Sequence, residues 1–207
     1  MFPVRRTRNV FGAILLAHLF AGPATAEPQI AKTYSYFSIG GKTADDLDAE
    51  LQKRGPLTRA TGFRHPGATE IRFGGEVTYM ESEGRCTIGD VKVTLRTHIT
   101  LPRWKNRRRA DGTLGLIWDT LAADIKRHEE RHAEIARSYA RDLQRKLKAL
   151  SARRTCKDLE ADVSQLTRQM IADHDKDQLR FDTVESQNFD ARMMRLLRNR
   201  TGMNAKN

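Results

Sequence analysis

The strongest constraint on this chain is a long helical stripe in its second half. Ile117, Leu121, Ile125, His128, His132, Ile135, Tyr139, Leu143, Leu147 and Leu150 recur at steps of three or four, the period of one face of an α-helix. The pattern breaks over residues 151–155 and resumes with Leu159, Val163, Leu166, Met170, His174, Asp177, Phe181 and Val184. Two long amphipathic helices joined by so short a break pack side by side, because each buries its stripe against the other. A helical half is therefore expected over 113–198, built on an antiparallel hairpin, with residues 201–207 frayed at the end.

The first half reads differently. Residues 34–39 are β-prone and end at Gly40-Gly41. Thr43 can cap a short helix that runs to Lys53, with Asp45 and Asp46 in its first turn and Gly55-Pro56 to stop it. Residues 61–69 hold Gly62, Pro66 and Gly67 and read as loop. Strand is expected over 71–73 and 76–80, then a turn at 81–84, then a strand over 85–101, where apolar and polar side chains alternate. The fold class expected is α+β: a small antiparallel sheet with one short helix, followed by the long antiparallel helical hairpin. It forms a single domain over 27–207, strand-rich over 27–104 and helical over 113–198. Between the halves lies a basic run, Arg103-Trp104-Lys105-Asn106-Arg107-Arg108-Arg109. It reads as solvated loop whose charge can also steer a substrate.

Residues 1–26 have the three parts of an export signal peptide. Arg5, Arg6 and Arg8 form the basic start, residues 10–20 an apolar stretch too short to span a membrane, and Ala24-Thr25-Ala26 the cleavage site. This places the mature start at Glu27 and the protein in the periplasm or outside the cell. The ordinary secretory route fits the residues after Arg5-Arg6 better than the twin-arginine route. No later run is long and apolar enough to cross a bilayer, so no integral membrane protein is expected after cleavage. Removing the three arginines leaves 34 basic against 26 acidic side chains, a charge of +8. Such a surface attracts anions. In this compartment those are anionic envelope components or acidic protein substrates, and no nucleic acid. Cys86 and Cys156 are the two cysteines. Neither has a close C-x-x-C partner, so a disulfide is expected rather than a metal role.

The chemistry concentrates at His128-Glu129-Glu130-Arg131-His132. Four residues of helix turn by about 40° and rise about 6 Å, so both imidazoles point the same way. Two imidazoles in a half-buried pocket suit Zn2+. Glu129 lies on a neighbouring line of the helix, placed to act on water beside the metal without binding it. This is the H-E-x-x-H arrangement of a zinc hydrolase, with Glu129 as general base. Catalytic zinc takes three protein ligands, so a third must come from elsewhere. If the hairpin turns between about 153 and 158, residue 130 faces a window from 176 to 186. The window holds Asp177, Asp182 and Glu185, with His174 just outside it.

These residues have a familiar order. Tyr34-Ser35-Tyr36 leads to Gly40-Gly41-Lys42-Thr43 and Leu47, then Gly55-Pro56. Gly62 through Gly67 to Thr69 follows, then Cys86 with Val91 and Val93, Leu101-Pro102-Arg103-Trp104, and His128-Glu129 with His132. In this the chain resembles a bacterial family, domain of unknown function 922, described as secreted zinc-dependent proteases. The resemblance implies a metallopeptidase acting on peptide or protein. In that family the second helix often ends with an aromatic-Asp pair and then His-Gly. Phe181-Asp182 matches the pair, while Gln187-Asn188 stands where His-Gly would fall. Glu185, an acid half a turn from that position, is therefore the expected third metal ligand. Asp182 is an alternative, or orients one imidazole, and His174 is the other alternative. Two further functions stay open at this level. One is a zinc amidase acting on cell-wall peptides. The other is a basic envelope-binding protein whose metal site is structural or degenerate.

Overall fold

The alternation read over 85–101 marks the middle of the sheet. The computed structural model describes residues 27–58 and 62–202. The expected signal peptide, 1–26, lies outside the described residues, as do residues 203–207. Strand β3 (Arg85–Trp104) is central, flanked by β1 (Gln29–Ile39) and β2 (Ala68–Ser82) in the order β1-β3-β2. The β2–β3 pair is an antiparallel hairpin from Ala68↔Thr100 to Ser82↔Arg85, with a bulge between Val77 and Tyr79. The β1–β3 pair is parallel, from Gln29↔Thr94 to Ile39↔Trp104. The sheet is thus mixed, which corrects the expectation of a wholly antiparallel one. Parallel neighbours need a long crossover that contains a helix. The segment between β1 and β3 supplies it: helix α1 (Ala44–Arg54) followed by β2.

Local signals set the ends of these elements. Thr43 caps α1 with a reciprocal pair of bonds: Asp46 N–H donates to Thr43 Oγ1 at 3.1 Å, and Thr43 N–H donates to Asp46 Oδ2 at 3.2 Å. Asp111 caps α2 (Gly112–Lys148) by accepting from Leu114 N–H at 2.7 Å. Helix α3 (Cys156–Gln187) starts after Thr155, whose hydroxyl accepts from Asp158 N–H. The helical half ends in two pieces rather than one, because Asn188 interrupts it before α4 (Phe189–Arg200). The basic run also differs from a plain loop. Residues 103–104 close β3, and Arg107–Arg109 form one turn of 3-10 helix.

One face of β3 supplies the core. Val91, Val93 and Leu95 pack on Ala136, Ala140, Leu143 and Leu147 of α2, and on Met170 of α3. Ile99 and Leu101 meet Ile125 and Ala133 further along. The line of α2 nearest the sheet is thus Ile125, Glu129, Ala133, Ala136 and Ala140, all buried. The small alanines let the helix axis approach the strands closely. This line is rotated from the stripe read in the sequence, and it leaves His128 and His132 on the shoulder that faces α3. At the far end, Cys86 and Cys156 are disulfide-bonded. Beside that bond Cys86 and Arg153 exchange two backbone hydrogen bonds at 2.8 and 2.9 Å. The start of β3 is thereby tied to the start of α3.

Candidate metal centre

Helices α2 and α3 run antiparallel, and their cross-contacts put residue 128 opposite 182 and residue 132 opposite 178. This lies inside the window that the turn position allowed. The two imidazoles of α2 and the Asp182 carboxylate of α3 converge on one point. His128 Nε2 and His132 Nε2 are 3.1 Å apart. Asp182 Oδ1 lies 3.2 Å from the first and 2.9 Å from the second. Three ligand atoms of a tetrahedral zinc with bonds of about 2.0–2.1 Å stand roughly 3.3 Å from one another. The observed triangle has nearly that edge, so this donor set fits one such ion. Among the described residues, this is the cluster of His, Cys, Asp or Glu that meets the geometry for holding a metal.

The walls of the triangle come from α3. Phe181 stacks on the His128 ring at a centroid distance of 4.9 Å and meets His132 edge-on at 5.0 Å. Asp182 is half exposed, whereas His132 is mostly buried, so the donors open to solvent on the Asp182 side. Burial raises the cost of charge on Asp182, but hydrogen bonds to both imidazoles outweigh it and hold the carboxyl well below its usual range. For His132 burial opposes the imidazolium, and the contacts to Asp182 and Gln178 outweigh it, so its pKa is raised.

Glu129 lies between the triangle and the sheet, close enough to His132, His128 and Asp182 to interact with their charges. It is buried beneath the sheet, where Thr69 Oγ1 donates to its Oε2 at 2.8 Å. A methyl at Gly67 would stand 2.8 Å from Glu129 Oε1, so the backbone passes directly against the carboxylate. Burial pushes this carboxyl above its usual range, against the pull of Thr69 and the two imidazoles. The next residue reaches the opposite edge of the sheet: Tyr34 Oη donates to Glu130 Oε1 at 2.7 Å, and Lys32 pairs with Glu130 at 3.4 Å. Adjacent glutamates thus fasten α2 to β2 and to β1, which fixes the rotation of the helix and hence the aim of both histidines.

The remaining candidates fall behind the triangle. Glu185 is held by Arg127 and by Arg192. Its Oε2 stands 3.7 Å from His128 Nδ1, on the far side of that ring from the converging atoms. Among the acids considered, the structure therefore brings Asp182, and not Glu185, to the two Nε2 atoms. The physical reason is competition: two guanidiniums claim Glu185, and Arg192 is in turn fixed by the buried Asp124 at 3.0 Å. His174 is buried one helical turn from Gln178, with its Nε2 turned toward that amide. Asp177 accepts from Tyr139 Oη at 2.7 Å. In the basic run, Arg107 pairs with Asp119 and Arg103 lies over the Tyr36 ring. Roughly 24 Å of helix separate Gly112, just after that run, from His128.

Gln178, Thr69, Gly67 and Arg192 were not read as parts of the site. Gln178 had a usable signal, because His174, Gln178 and Asp182 are spaced by four and share one line of α3. Gly67 and Thr69 stand among the residues that carry the family resemblance, but nothing local links residue 69 to residue 129.

These elements define an α+β domain in which a helical hairpin presents a His-His-Asp donor triangle beside a small mixed sheet. A bacterial protein family of unknown function, DUF922, matches residues 34–189. The chain belongs to that family. No curated protein and no solved structure matches it. The family match runs from Tyr34 within β1 through α1, β2, β3 and the whole hairpin, and so contains His128, Glu129, His132 and Asp182.

Proposed function

We propose that this protein is an exported zinc-dependent hydrolase that cleaves peptide bonds. The observation that carries the reading is the convergence of His128 Nε2, His132 Nε2 and Asp182 Oδ1 on one point, with Glu129 one residue along the same helix. His128, His132 and Asp182 would hold the ion. Zinc in such a site polarises a carbonyl and acidifies water. Glu129 would take the proton from the attacking water and return it to the leaving amine. Burial shifts its pKa upward, the direction that makes it a stronger base. Thr69 holds the carboxylate by one oxygen. Phe181 covers the imidazoles and limits the access of bulk water. The Cys86–Cys156 bond supports an oxidising compartment. No helix among the described residues is long and apolar enough to cross a membrane.

The test is the zinc content of the purified mature protein with two variants. The parent is expected to hold about one equivalent, and His128→Ala to lose it. Glu129→Gln should keep the metal and lose at least about 100-fold in hydrolysis. Loss of zinc in Glu129→Gln makes Glu129 a ligand and overturns its role. A parent that binds no zinc ends the reading. Protein substrates assayed against purified wall material separate a peptidase from a wall amidase.

A further inference from the structure

The group behind His132 is a neutral amide, and its hydrogen bonds are determined one by one. Gln178 Nε2 lies 3.1 Å from the backbone carbonyl oxygen of His132. That oxygen can only accept, so the atom facing it is the NH2 group and not the amide oxygen. This fixes Gln178 Oε1 against His132 Nδ1 at 2.5 Å. An amide oxygen only accepts, so Nδ1 carries a proton. The nitrogen left to bind a cation is Nε2, the one that faces His128 and Asp182. The second N–H of Gln178 points to His174 Nε2 at 2.8 Å. His174 Nε2 therefore accepts, and its ring proton sits on Nδ1, 2.9 Å from Asp175 Oδ1. Phe73 and Tyr139 meet the His174 ring edge-on, at 5.0 and 5.5 Å, and keep it from turning away. The series Asp175, His174, Gln178, His132 can be satisfied in one direction only.

We propose that Gln178, anchored by His174, is a positioning residue that holds His132 as the Nδ1–H tautomer with Nε2 aimed at the metal. The inference rests on the reading of His128, His132 and Asp182 as a metal site. It gives His174 a definite part: it acts through Gln178 rather than as a ligand. An amide at this place orients the imidazole without adding negative charge behind it. A carboxylate there would make the ring a stronger donor to the metal.

Two measurements test this. Competition with a chromophoric chelator gives the zinc affinity. Proton NMR of the cobalt-loaded protein shows the ring N–H protons of bound histidines as shifted, exchangeable signals. The parent should show one such signal for His132, slow to exchange because Gln178 covers it. Gln178→Leu should weaken zinc binding about 10–100-fold and expose that proton to rapid exchange. Gln178→Glu restores an acceptor and should recover most of the affinity and a slow signal, which a merely space-filling role would not predict. His174→Leu removes the anchor and should give a smaller loss of the same kind. Parental affinity and a slow signal in Gln178→Leu overturn the proposal while leaving the metal site intact. A parent that binds neither zinc nor cobalt overturns the metal reading and this inference with it. Should Gln178→Leu fail to fold, the contrast of Gln178→Glu with His174→Leu decides: equal losses in both overturn the proposal.

Discussion

Replacing Gly67 by alanine isolates the contact between the start of β2 and Glu129. The added methyl would stand 2.8 Å from Glu129 Oε1, 2.9 Å from Ile125 Cγ2 and 3.0 Å from Glu129 Cγ. Ordinary carbon contacts start near 3.5 Å, so both side chains must give way by about half an ångström. Neither has room to do so. Ile125 is packed under Ile99 and Leu101, and Glu129 is buried against Thr69. Overpacking of this kind costs about 1–3 kcal/mol. For a chain of this size each kilocalorie lowers the melting temperature by about 2–4 °C. The metal-free Gly67→Ala protein should therefore melt about 2–12 °C below the parent. The displaced carboxylate should also slow hydrolysis, because an ångström of misplacement costs about 100-fold. Zinc affinity should stay within about threefold, since Glu129 is no ligand in this reading. Differential scanning fluorimetry with chelator and a zinc titration measure the two effects. A variant that melts with the parent would refute the packing argument. One that loses zinc would refute the assignment of Glu129.

Three other outcomes follow from the same geometry. Reducing the Cys86–Cys156 bond, which spans 70 residues, should destabilise the fold by about 4 kcal/mol, read from urea unfolding with and without reductant; an unchanged midpoint contradicts it. The raised pKa of His132 contributes stability that is full below its unfolded value near 6.5 and is lost as pH rises through the folded value. The lowered pKa of Asp182 contributes stability that is present above its unfolded value near 3.8 and is lost as pH falls through the folded value. The melting gap between metal-free parent and Asp182→Asn should therefore be widest between the two unfolded values and narrow as pH rises above that of His132 or falls below that of Asp182; a gap independent of pH rules out the pairing. Zinc affinity should fall at least about tenfold in Asp182→Asn and change less in Glu185→Gln; the reverse order would restore Glu185 as the ligand.

Much of the helical half was legible because its signals are local. The 3.6-residue period and the break at 151–155 mark α2 and α3 without any long-range knowledge. The hairpin rule then confined the partner of the two histidines to a few residues of α3. It could not choose between Asp182 and Glu185, which lie less than one turn apart on neighbouring lines. That choice depends on Arg127 and on Arg192 of α4, and nothing in the sequence announces that the chain runs on past Asn188 along α2 and brings Arg192 to Glu185 and Asp124. The parallel pairing of β1 was equally hidden. A strand's own pattern is the same whichever way its neighbour runs, and the direction was set by the crossover through α1 and β2. The true sheet-facing line of α2 escaped notice because it consists largely of alanines, which carry little hydrophobic signal, and of the charged Glu129.

The disulfide makes α3 a lever. The covalent ring closed by Cys86 and Cys156 contains the whole of α2, and with it His128 and His132. Asp182 lies outside the ring, on an arm that leaves it at Cys156. About 39 Å of helix separate that pivot from Asp182. One degree of swing at the disulfide moves the carboxylate by roughly 0.7 Å at that reach. Small changes in packing near that pivot are thus amplified toward Asp182, where the Arg127–Glu185 and Arg192–Asp124 pairs resist them. An ion gripped there would add a further clasp to these ties, so metal affinity would report on the seating of the entire helix.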